Sequence, residues 1–414
     1  MNEAASRDVA IVTPWYPSRE LPFRGAFVQA MVDATAPGCD NALVYHCDTW
    51  VSRMNPRTTD AVEAANRTLA PLAVRPTPTV GGAQLVHLAV TTPRSQEFGP
   101  LARNHERQLR AALGGNPIAA PVVHAHVGLP GAWAALQNAR PDARVFVTEH
   151  ATYLDRVLAE PDARALYDEV LHRVDGFFAV GEPIRDVLTA AFPHHAEKIQ
   201  QIPNPISFRE KRTVPVTELR RWLFLGGLIP RKGVDLLVEA FAQCHAKDPA
   251  LTLTMVGEGE LRAQLTARAT ELGLEDAIRF LGAVPPDAAL NLMREHDLLV
   301  HPSRYETFGM TVVEAVAAGM PVLVTRCGGP EETLAGIESV AGEMIDVEDD
   351  PESITDGYWR LRDRFDRDVD LELAQKTLDG RYGYEAVAEA HYRLWFPAAT
   401  HNQGEDSERA GTLE

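Results

Sequence analysis

Basic residues are scarce in this sequence relative to acidic ones. Its 414 residues include 40 lysines and arginines against 58 aspartates and glutamates, for a formal net charge of −18 at pH 7. Proteins that hold nucleic acid without sequence preference, and proteins that dock on anionic lipid, need basic patches. The charge balance therefore argues against both classes of partner. An acidic surface of this kind ordinarily serves solubility.

Cysteine is also rare, and long apolar runs are missing. The four cysteines show no metal-ligand spacing, so we expect free thiols in a reducing cytosol. They are Cys39, Cys47, Cys244 and Cys327. The N-terminal segment MNEAASRDVAIVTPWY lacks the basic and apolar regions of a signal peptide, and no run approaches the ~20 apolar residues of a membrane span. We therefore predict a cytoplasmic protein with no membrane span.

The G-x-G-x-x-G fingerprint of dinucleotide-binding domains follows none of the predicted strands, which argues against a nicotinamide-dependent oxidoreductase. Predicted strands nevertheless alternate with predicted helices on both sides of a prolyl, charged linker at residues 203–217. This pattern predicts an α/β fold of two facing, doubly wound, Rossmann-like domains over residues 1–205 and 206–382. We expect a C-terminal helix over residues 383–398 to cross back to the first domain, and a disordered tail over residues 399–414.

The most informative stretch is residues 298–330, which reads as a strand, a polar loop, a helix, a second strand and a glycine-rich turn. The helix opens near Phe308 and Gly309, with Glu306 in the loop before it and Glu314 on its second turn. Free backbone N–H groups and the helix dipole attract phosphate at such a helix start. Two carboxylates around it suit a phosphorylated ligand with hydroxyls at both ends, such as a nucleotide sugar.

Other candidates also fall at predicted strand ends, where open α/β sheets place their ligands. Arg231 and Lys232 precede a helix and form a reasonable phosphate clamp, although such pairs are commonly solvated. The turn at Gly257 lets the backbone approach a flat ligand closely, and an ordinary helix-opening turn looks the same. We interpret His150 as functional. For His126, a functional role and a local hydrogen bond are equally open.

The segments LGGLIPRKGVD, VGEGE, FLGAV, HPSRYETFGMTVVEAVAAGMPVL and GGPEE resemble the retaining glycosyltransferases of family 4, which have the GT-B fold. The E-x7-E element of that family matches Glu306 and Glu314. The resemblance is strong over residues 222–332. It is looser in the first half, where GAFV, HAHVGLPG, TEH and IPNPI keep the family's order.

The resemblance implies a role for each matching residue. Lys232 pairs with the donor diphosphate, Glu314 accepts hydrogen bonds from the ribose, and Glu306 holds the transferred sugar, which His150 approaches from the first domain. His150, Lys232 and Glu306 are thus the implied catalytic residues. The other implied donor-binding positions are Gly25, Arg231, Gly257, Val284, Phe308, Gly309, Met310 and Thr311. The nucleotide sugar is a co-substrate, and we expect neither a cofactor nor a metal.

The implied reaction is transfer of a hexose, with retention, from a UDP-linked sugar such as UDP-glucose or UDP-N-acetylglucosamine. Such family members carry no well-placed carboxylate nucleophile, which implies front-face substitution. We expect a small soluble acceptor and suggest an aminocyclitol of secondary metabolism, because the acidic surface favours a cation. A cell-surface glycan or cyclitol-phosphate precursor stays open as the acceptor. The oligomeric state is also open.

One position departs from the family pattern, since Gly227 stands where an arginine is usual. Arg231 is a candidate to supply the missing charge. This departure keeps open a catalytically silent GT-B protein that binds a glycan or a partner. The presence of Lys232, Glu306, Glu314 and His150 opposes that alternative. A retaining phosphorylase or synthase is a further alternative, but a pyridoxal-dependent phosphorylase needs a much longer chain.

Overall fold

The computed structural model describes residues 6–18, 21–52, 75–93 and 97–397. Within these residues the strands form two separate sheets with helices around them, which confirms the predicted α/β fold of two doubly wound domains. The predicted disordered tail, residues 399–414, lies outside the described residues. None of the described helices combines the length and the apolar character needed to cross a membrane.

The first sheet has eight strands in the described part of the chain, in the order β3-β4-β2-β1-β5-β6-β7-β8. The strands are β1 (Val9–Thr13), β2 (Ala42–Ser52), β3 (Thr77–Pro78), β4 (Gln84–Pro93), β5 (Val122–His126), β6 (Arg144–Glu149), β7 (Gly176–Ala179) and β8 (Ile199–Gln201). All neighbours pair in parallel except β3 with β4. Strands such as β1 and β5 are buried along their whole length, because helices cover both faces of a parallel sheet.

Helices and short turns connect these strands. The helices are α1 (Ala26–Thr35), α2 (Phe98–Ala112), α3 (Trp133–Asn138), α4 (Leu154–Ala159), α5 (Pro161–Arg173) and α6 (Glu182–Ala191). Tight helical segments cover Ala36–Gly38, Gly128–Ala132 and Pro193–Lys198. After β8 the chain runs without helix or ladder strand until residue 221, and this stretch includes the prolyl segment that the sequence identifies as a linker.

The second sheet has six described strands, all parallel, in the order β11-β10-β9-β12-β13-β14. They are β9 (Arg221–Leu225), β10 (Thr252–Val256), β11 (Ile278–Gly282), β12 (Leu298–His301), β13 (Val322–Thr325) and β14 (Gly342–Ile345). The helices are α7 (Val234–Lys247), α8 (Arg262–Glu271), α9 (Pro286–Glu295), α10 (Met310–Ala317), α11 (Gly329–Thr333), α12 (Glu338–Ala341), α13 (Pro351–Asp368) and α14 (Leu371–Tyr382), with a 3-10 turn at Pro230–Lys232.

The last described helix, α15 (Tyr384–Trp395), leaves the second domain and packs on the first. The hydroxyl of Tyr392 accepts a hydrogen bond from the Gly38 N–H at 3.0 Å and donates to the Thr35 carbonyl at 2.7 Å. Trp395 is buried, and its indole N–H donates to Nδ1 of His124 on β5 at 3.1 Å. This helix therefore completes the core of the first domain.

Loops from the carboxyl ends of both sheets meet between the domains, and Glu332 of α11 links them. One oxygen of its carboxylate accepts a hydrogen bond from the Glu182 N–H at 2.7 Å, and the other contacts the side-chain amide of Gln201. Close by, a Cβ at Gly181 would lie 2.3 Å from the carbonyl oxygen of Thr307, so glycine is what allows the two loops to touch.

We predict that the C-terminal helix stabilises the first domain. Trp395→Ala should lower its free energy of unfolding by about 3–5 kcal/mol, since a large buried side chain leaves a cavity. Trp395→Phe should cost less, about 1–3 kcal/mol, mainly because His124 loses its hydrogen-bond donor. Urea unfolding followed by circular dichroism measures both changes.

The matched control is Arg393→Ala, because Arg393 lies on the same helix with 75% of its side chain exposed. This substitution should stay within about 0.5 kcal/mol of the parent protein. Equal stability of the Trp395→Ala and Arg393→Ala proteins would contradict the assignment of α15 to the first domain's core.

Candidate active site

The centre of the candidate site is Glu306, a buried carboxylate in the loop between β12 and α10. Its Oε1 accepts hydrogen bonds from His301 at 2.9 Å and Ser303 at 2.7 Å and also contacts the Lys232 ammonium. Its Oε2 lies 3.6 Å from the Arg231 guanidinium. Burial alone would raise the pKa of Glu306, but His301 and Lys232 hold it well below its usual range. Glu306 is therefore an anion paired with cations.

The loop after β9 brings those cations to the carboxylate. Its 3-10 turn, Pro230–Lys232, ends at Gly233 with a φ of 62°. A Cβ at Gly233 would lie 2.1 Å from the carbonyl oxygen of Pro302, so only glycine allows the two loops this close together. Arg231 also donates a hydrogen bond to the Tyr305 carbonyl at 2.5 Å. The β9 and β12 loops are thus bound to one another by backbone contacts as well as by charge.

The start of α10 follows this carboxylate directly. Gly309 has a φ of 82° and precedes the first helical residue, Met310, which Thr311 follows. The first N–H groups of a helix have no acceptor within it, so they present positive partial charge to a ligand. Phe308 turns its ring into the core, against Tyr382, and is 2% exposed. The four predicted ligand-binding positions here, residues 308–311, therefore offer backbone groups to a ligand. Thr311 alone among these four also offers a polar side chain.

Glu314, one turn further along α10, lines a cavity of about 300 Å³ between the domains. Other residues around the cavity are Phe23 and Ala26 from the first domain and Leu225, Gly226, Gly227, Val256, Gly257, Glu258 and Val284 from the second. Burial raises the pKa of Glu314 to about 7. A Cβ at Gly257 would lie 1.9 Å from the Gly226 carbonyl oxygen, so a larger residue would disrupt this wall. The cavity suits a flat, largely apolar group with hydroxyls near Glu314.

The first domain contributes a pair of histidines. Nε2 of His150, just after β6, lies 2.8 Å from Nδ1 of His126, at the end of β5. Burial lowers the pKa of His150 to about 3, so its ring is neutral. Phe27 packs on it with ring centroids 4.5 Å apart. Glu149 accepts hydrogen bonds from the Gly128 and His150 N–H groups at 2.8 Å each, which joins the segment after β5 to the segment after β6.

Gly25 places the first turn of α1 against the cavity. Its φ is 73°, and a Cβ there would lie 2.5 Å from the carbonyl carbon of Trp15. Phe23, two positions before Gly25, and Ala26, directly after it, line the cavity. Gly25 therefore acts through backbone shape.

The structure brings the predicted residues together in two groups. Lys232, Arg231 and Glu306 form the ion cluster beside the α10 start, whereas Gly257, Val284 and Glu314 surround the neighbouring cavity. Among the described residues, His150 forms no hydrogen bond or ring contact with either group and lies beside His126 and Phe27 of the first domain.

Several participants were not identified from the sequence. His301 and Ser303, which hold Glu306, stand at a strand end in the HPS segment, and this position was an available signal. Phe23 lines the cavity from a loop that carries no recognisable pattern. The contact between His126 and His150 joins residues 24 positions apart, and it depends on the pairing of β5 with β6.

Two adjoining family models match the sequence: Glycosyltransferase Family 4 over residues 67–210 and Glycosyl transferases group 1 over residues 208–361. Mannosylfructose-phosphate synthase of Agrobacterium fabrum is 30% identical over 209 residues, or 45% of this chain and 46% of that protein. The matched region thus spans about half of the relative's length.

Two solved structures resemble nearly the whole chain. Sucrose-phosphate synthase from Thermosynechococcus elongatus superimposes with a TM-score of 0.70 at 18% identity, over 94% of this chain and 98% of the other. Anabaena HepE in complex with UDP and glucose gives a TM-score of 0.64 at 18% identity, over the same shares of 94% and 98%. At this identity these structures show the fold alone. Together with the two family models, they show that the chain belongs to the GT-B glycosyltransferases of the family 4 type.

Proposed function

We propose that this protein transfers a hexose, with retention of configuration, from a UDP-linked sugar to a hydroxyl group of a small soluble acceptor. The observation that carries the proposal is the ion cluster of Glu306, Lys232 and Arg231 at the start of α10, with the Glu314 cavity beside it. The positive charge of Lys232 and Arg231 can hold a diphosphate. Such a diphosphate would have the Glu306 carboxylate on one side and the nucleoside-sized cavity on the other.

The nucleoside is assigned to the cavity. Its apolar and glycine-lined walls suit a base, and the Glu314 carboxylate accepts hydrogen bonds from the ribose hydroxyls. The fold neighbour HepE was solved with UDP and glucose, and this supports uridine as the base.

The transfer step is assigned to the cluster at the helix start. The bond between the anomeric carbon and the diphosphate oxygen breaks, and the acceptor hydroxyl oxygen bonds to the same face of the sugar. The hydroxyl proton passes to the departing diphosphate. Lys232, Arg231 and the α10 N–H groups stabilise the negative charge that develops on that diphosphate. The neutral His150 donates or accepts a hydrogen bond at the sugar.

Glu306 is assigned a positioning role toward the sugar hydroxyls and not that of a nucleophile. Both of its oxygens already face donors, since Oε1 is contacted by His301, Ser303 and Lys232 and Oε2 by Arg231. Hydrogen bonds and cations that stabilise a carboxylate make it a weaker nucleophile. This favours the front-face route over a covalent intermediate.

The acceptor is assigned to the first domain's side of the cleft. An aminocyclitol remains our proposal, because the chain's net charge of −18 favours approach of a cation. The relative named mannosylfructose-phosphate synthase motivates a second class, a phosphorylated sugar or cyclitol. Arg24 follows the cavity-lining Phe23, is 31% exposed and lies 3.6 Å from the Asp48 carboxylate, and we assign it as the cation for that phosphate.

A hydrolysis screen over nucleotide sugars tests the proposed donor. With no acceptor present, we expect slow release of UDP from one UDP-hexose and less from its GDP and ADP counterparts, since water can replace the acceptor. Release from none of the sugars, together with no UDP binding by calorimetry, would instead favour a catalytically silent binding protein.

Lys232→Ala should lower kcat about 10²–10³-fold, because the departing diphosphate loses its nearest cation. Release of UDP under saturating donor measures the change. The matched control is Lys376→Ala, which removes an exposed lysine of α14 and should leave the rate unchanged. A Lys232→Ala protein that is folded and turns over at the rate of the control would refute the proposed role of Lys232.

The affinity for UDP should depend on the ionisation of Glu314. With a pKa of about 7 in the free protein, the carboxyl is protonated below that pH and loses acceptor capacity. UDP binding should therefore weaken as the pH falls from about 8 to 6, by up to about tenfold per unit below the pKa. Calorimetric titrations across this range measure the trend.

Glu314→Gln provides the control for that experiment, because the phosphate of UDP itself takes up a proton near pH ~6. The variant should bind UDP more weakly at pH 8 and keep only the pH dependence that belongs to the phosphate. If the parent protein and the variant show parallel pH profiles, Glu314 does not contact the ribose as an anion.

A further inference from the structure

We propose that the first domain carries a binding site for a divalent transition-metal ion, formed by Asp168, His194 and His195. Asp168 lies on α5, and the histidines lie in the 3-10 segment Pro193–Lys198. Nε2 of His194 is 2.8 Å, and Nε2 of His195 3.2 Å, from the same oxygen, Oδ1 of Asp168. One potential ligand atom from each of the three residues falls within 4.8 Å of the others.

The spacing fits zinc. Zinc binds imidazole nitrogen and carboxylate oxygen at about 2.0–2.2 Å in a tetrahedron, whose ligand atoms are then about 3.3–3.5 Å apart. To reach that spacing, the edges of 2.8 and 3.2 Å in the structure need to lengthen by about 0.5–0.7 Å and about 0.1–0.3 Å. Two imidazoles and one carboxylate leave one position for water, and such a set favours zinc, nickel or copper over magnesium.

Contacts that do not involve the three ligands hold the two elements together. The Lys198 ammonium donates to the carbonyls of Leu171 and His172, at the end of α5, at 2.8 Å each. Arg164 of α5 donates to the Ala191 carbonyl at 2.7 Å. The ligands are therefore brought together by the fold itself, which reduces the conformational entropy that metal binding must remove.

The site is accessible to an ion and separate from the nucleotide-sugar cleft. The side chain of His194 is 60% exposed and that of Asp168 47%, whereas that of His195 is 11% exposed. The segment precedes β8 and so lies at the amino end of that strand, while the cleft lies at the carboxyl ends. The proposal consequently stands independently of the proposed transfer reaction. A bound ion would tie α5 to the chain entering β8 and stabilise the first domain.

Calorimetric titration of zinc chloride into the untagged, chelator-treated full chain tests the proposal. We expect one ion per chain at this site, and about a tenfold or greater loss of affinity in His194→Ala and in Asp168→Asn, since even indirect partners of a metal ion change affinity by that much. The matched control is Glu169→Gln. Glu169 is the next residue on α5 and pairs with Arg173, so its substitution removes the same charge without removing a ligand.

Thermal unfolding gives a second readout that separates this site from other histidines in the chain. Zinc should raise the melting temperature of the parent protein and of Glu169→Gln, while His194→Ala and Asp168→Asn should show a smaller shift or none. Magnesium at the same concentration should have no such effect. Absence of zinc binding, or zinc binding that the two ligand substitutions leave unchanged, overturns the proposal.

Discussion

The buried ion pair between Lys232 and Glu306 is the contact on which the rest of the candidate site depends. It joins two loops that are 74 positions apart in the sequence, and removing one partner of a buried pair typically costs about 3–5 kcal/mol because the other charge is left alone. The same ammonium is the cation assigned to the diphosphate. An ammonium has three donors, so Lys232 can keep Glu306 while it also contacts a phosphate oxygen. The pair therefore prepares the donor site before the donor arrives.

The two glutamates, Glu306 before α10 and Glu314 within it, show how different environments give identical side chains different pKa values. Burial disfavours the charged form of both, but Glu306 has His301 and Lys232 as partners, and its pKa falls. Glu314 has burial as its main influence, and its pKa rises to about 7. One carboxylate is thus a permanent anion, which suits an electrostatic and positioning role. The other has a pKa near neutral pH, so the proposed contact with ribose hydroxyls would also change its charge.

Much of this organisation was predictable because it is local. Alternating apolar runs and helical periods indicate two doubly wound domains, and the order of loop, glycine and helix around Gly309 indicates an anion site. The strand order that places β12 beside β9 was not predictable from periodicity, since it depends on packing between distant segments. The same holds for the contacts of Glu332 with the first domain, which join residues 150 and 131 positions apart.

The supporting residues of the site were missed for a related reason. The position of His301 and Ser303 at a strand end was an available signal, but only the folded loop shows that both side chains reach Glu306. For His126, the sequence left a functional role and a local hydrogen bond open, and only the fold shows its contact with His150 across two strands. Residues that contact a ligand are easier to identify from a sequence pattern than the residues that hold those contact residues in place. The holding residues depend on the shape and hydrogen bonding of one particular fold.

Gly227 now has a physical interpretation. A Cβ at this position would meet no described atom closer than 3.8 Å, so neither crowding nor backbone strain requires glycine there. In the proposed donor complex, the diphosphate faces two cations, Arg231 and Lys232, together with roughly half a charge from the helix start. Glu306 offsets part of that positive charge. With no arginine at position 227, we expect Lys232 and Arg231 to supply the side-chain charge that stabilises the departing diphosphate in the proposed reaction.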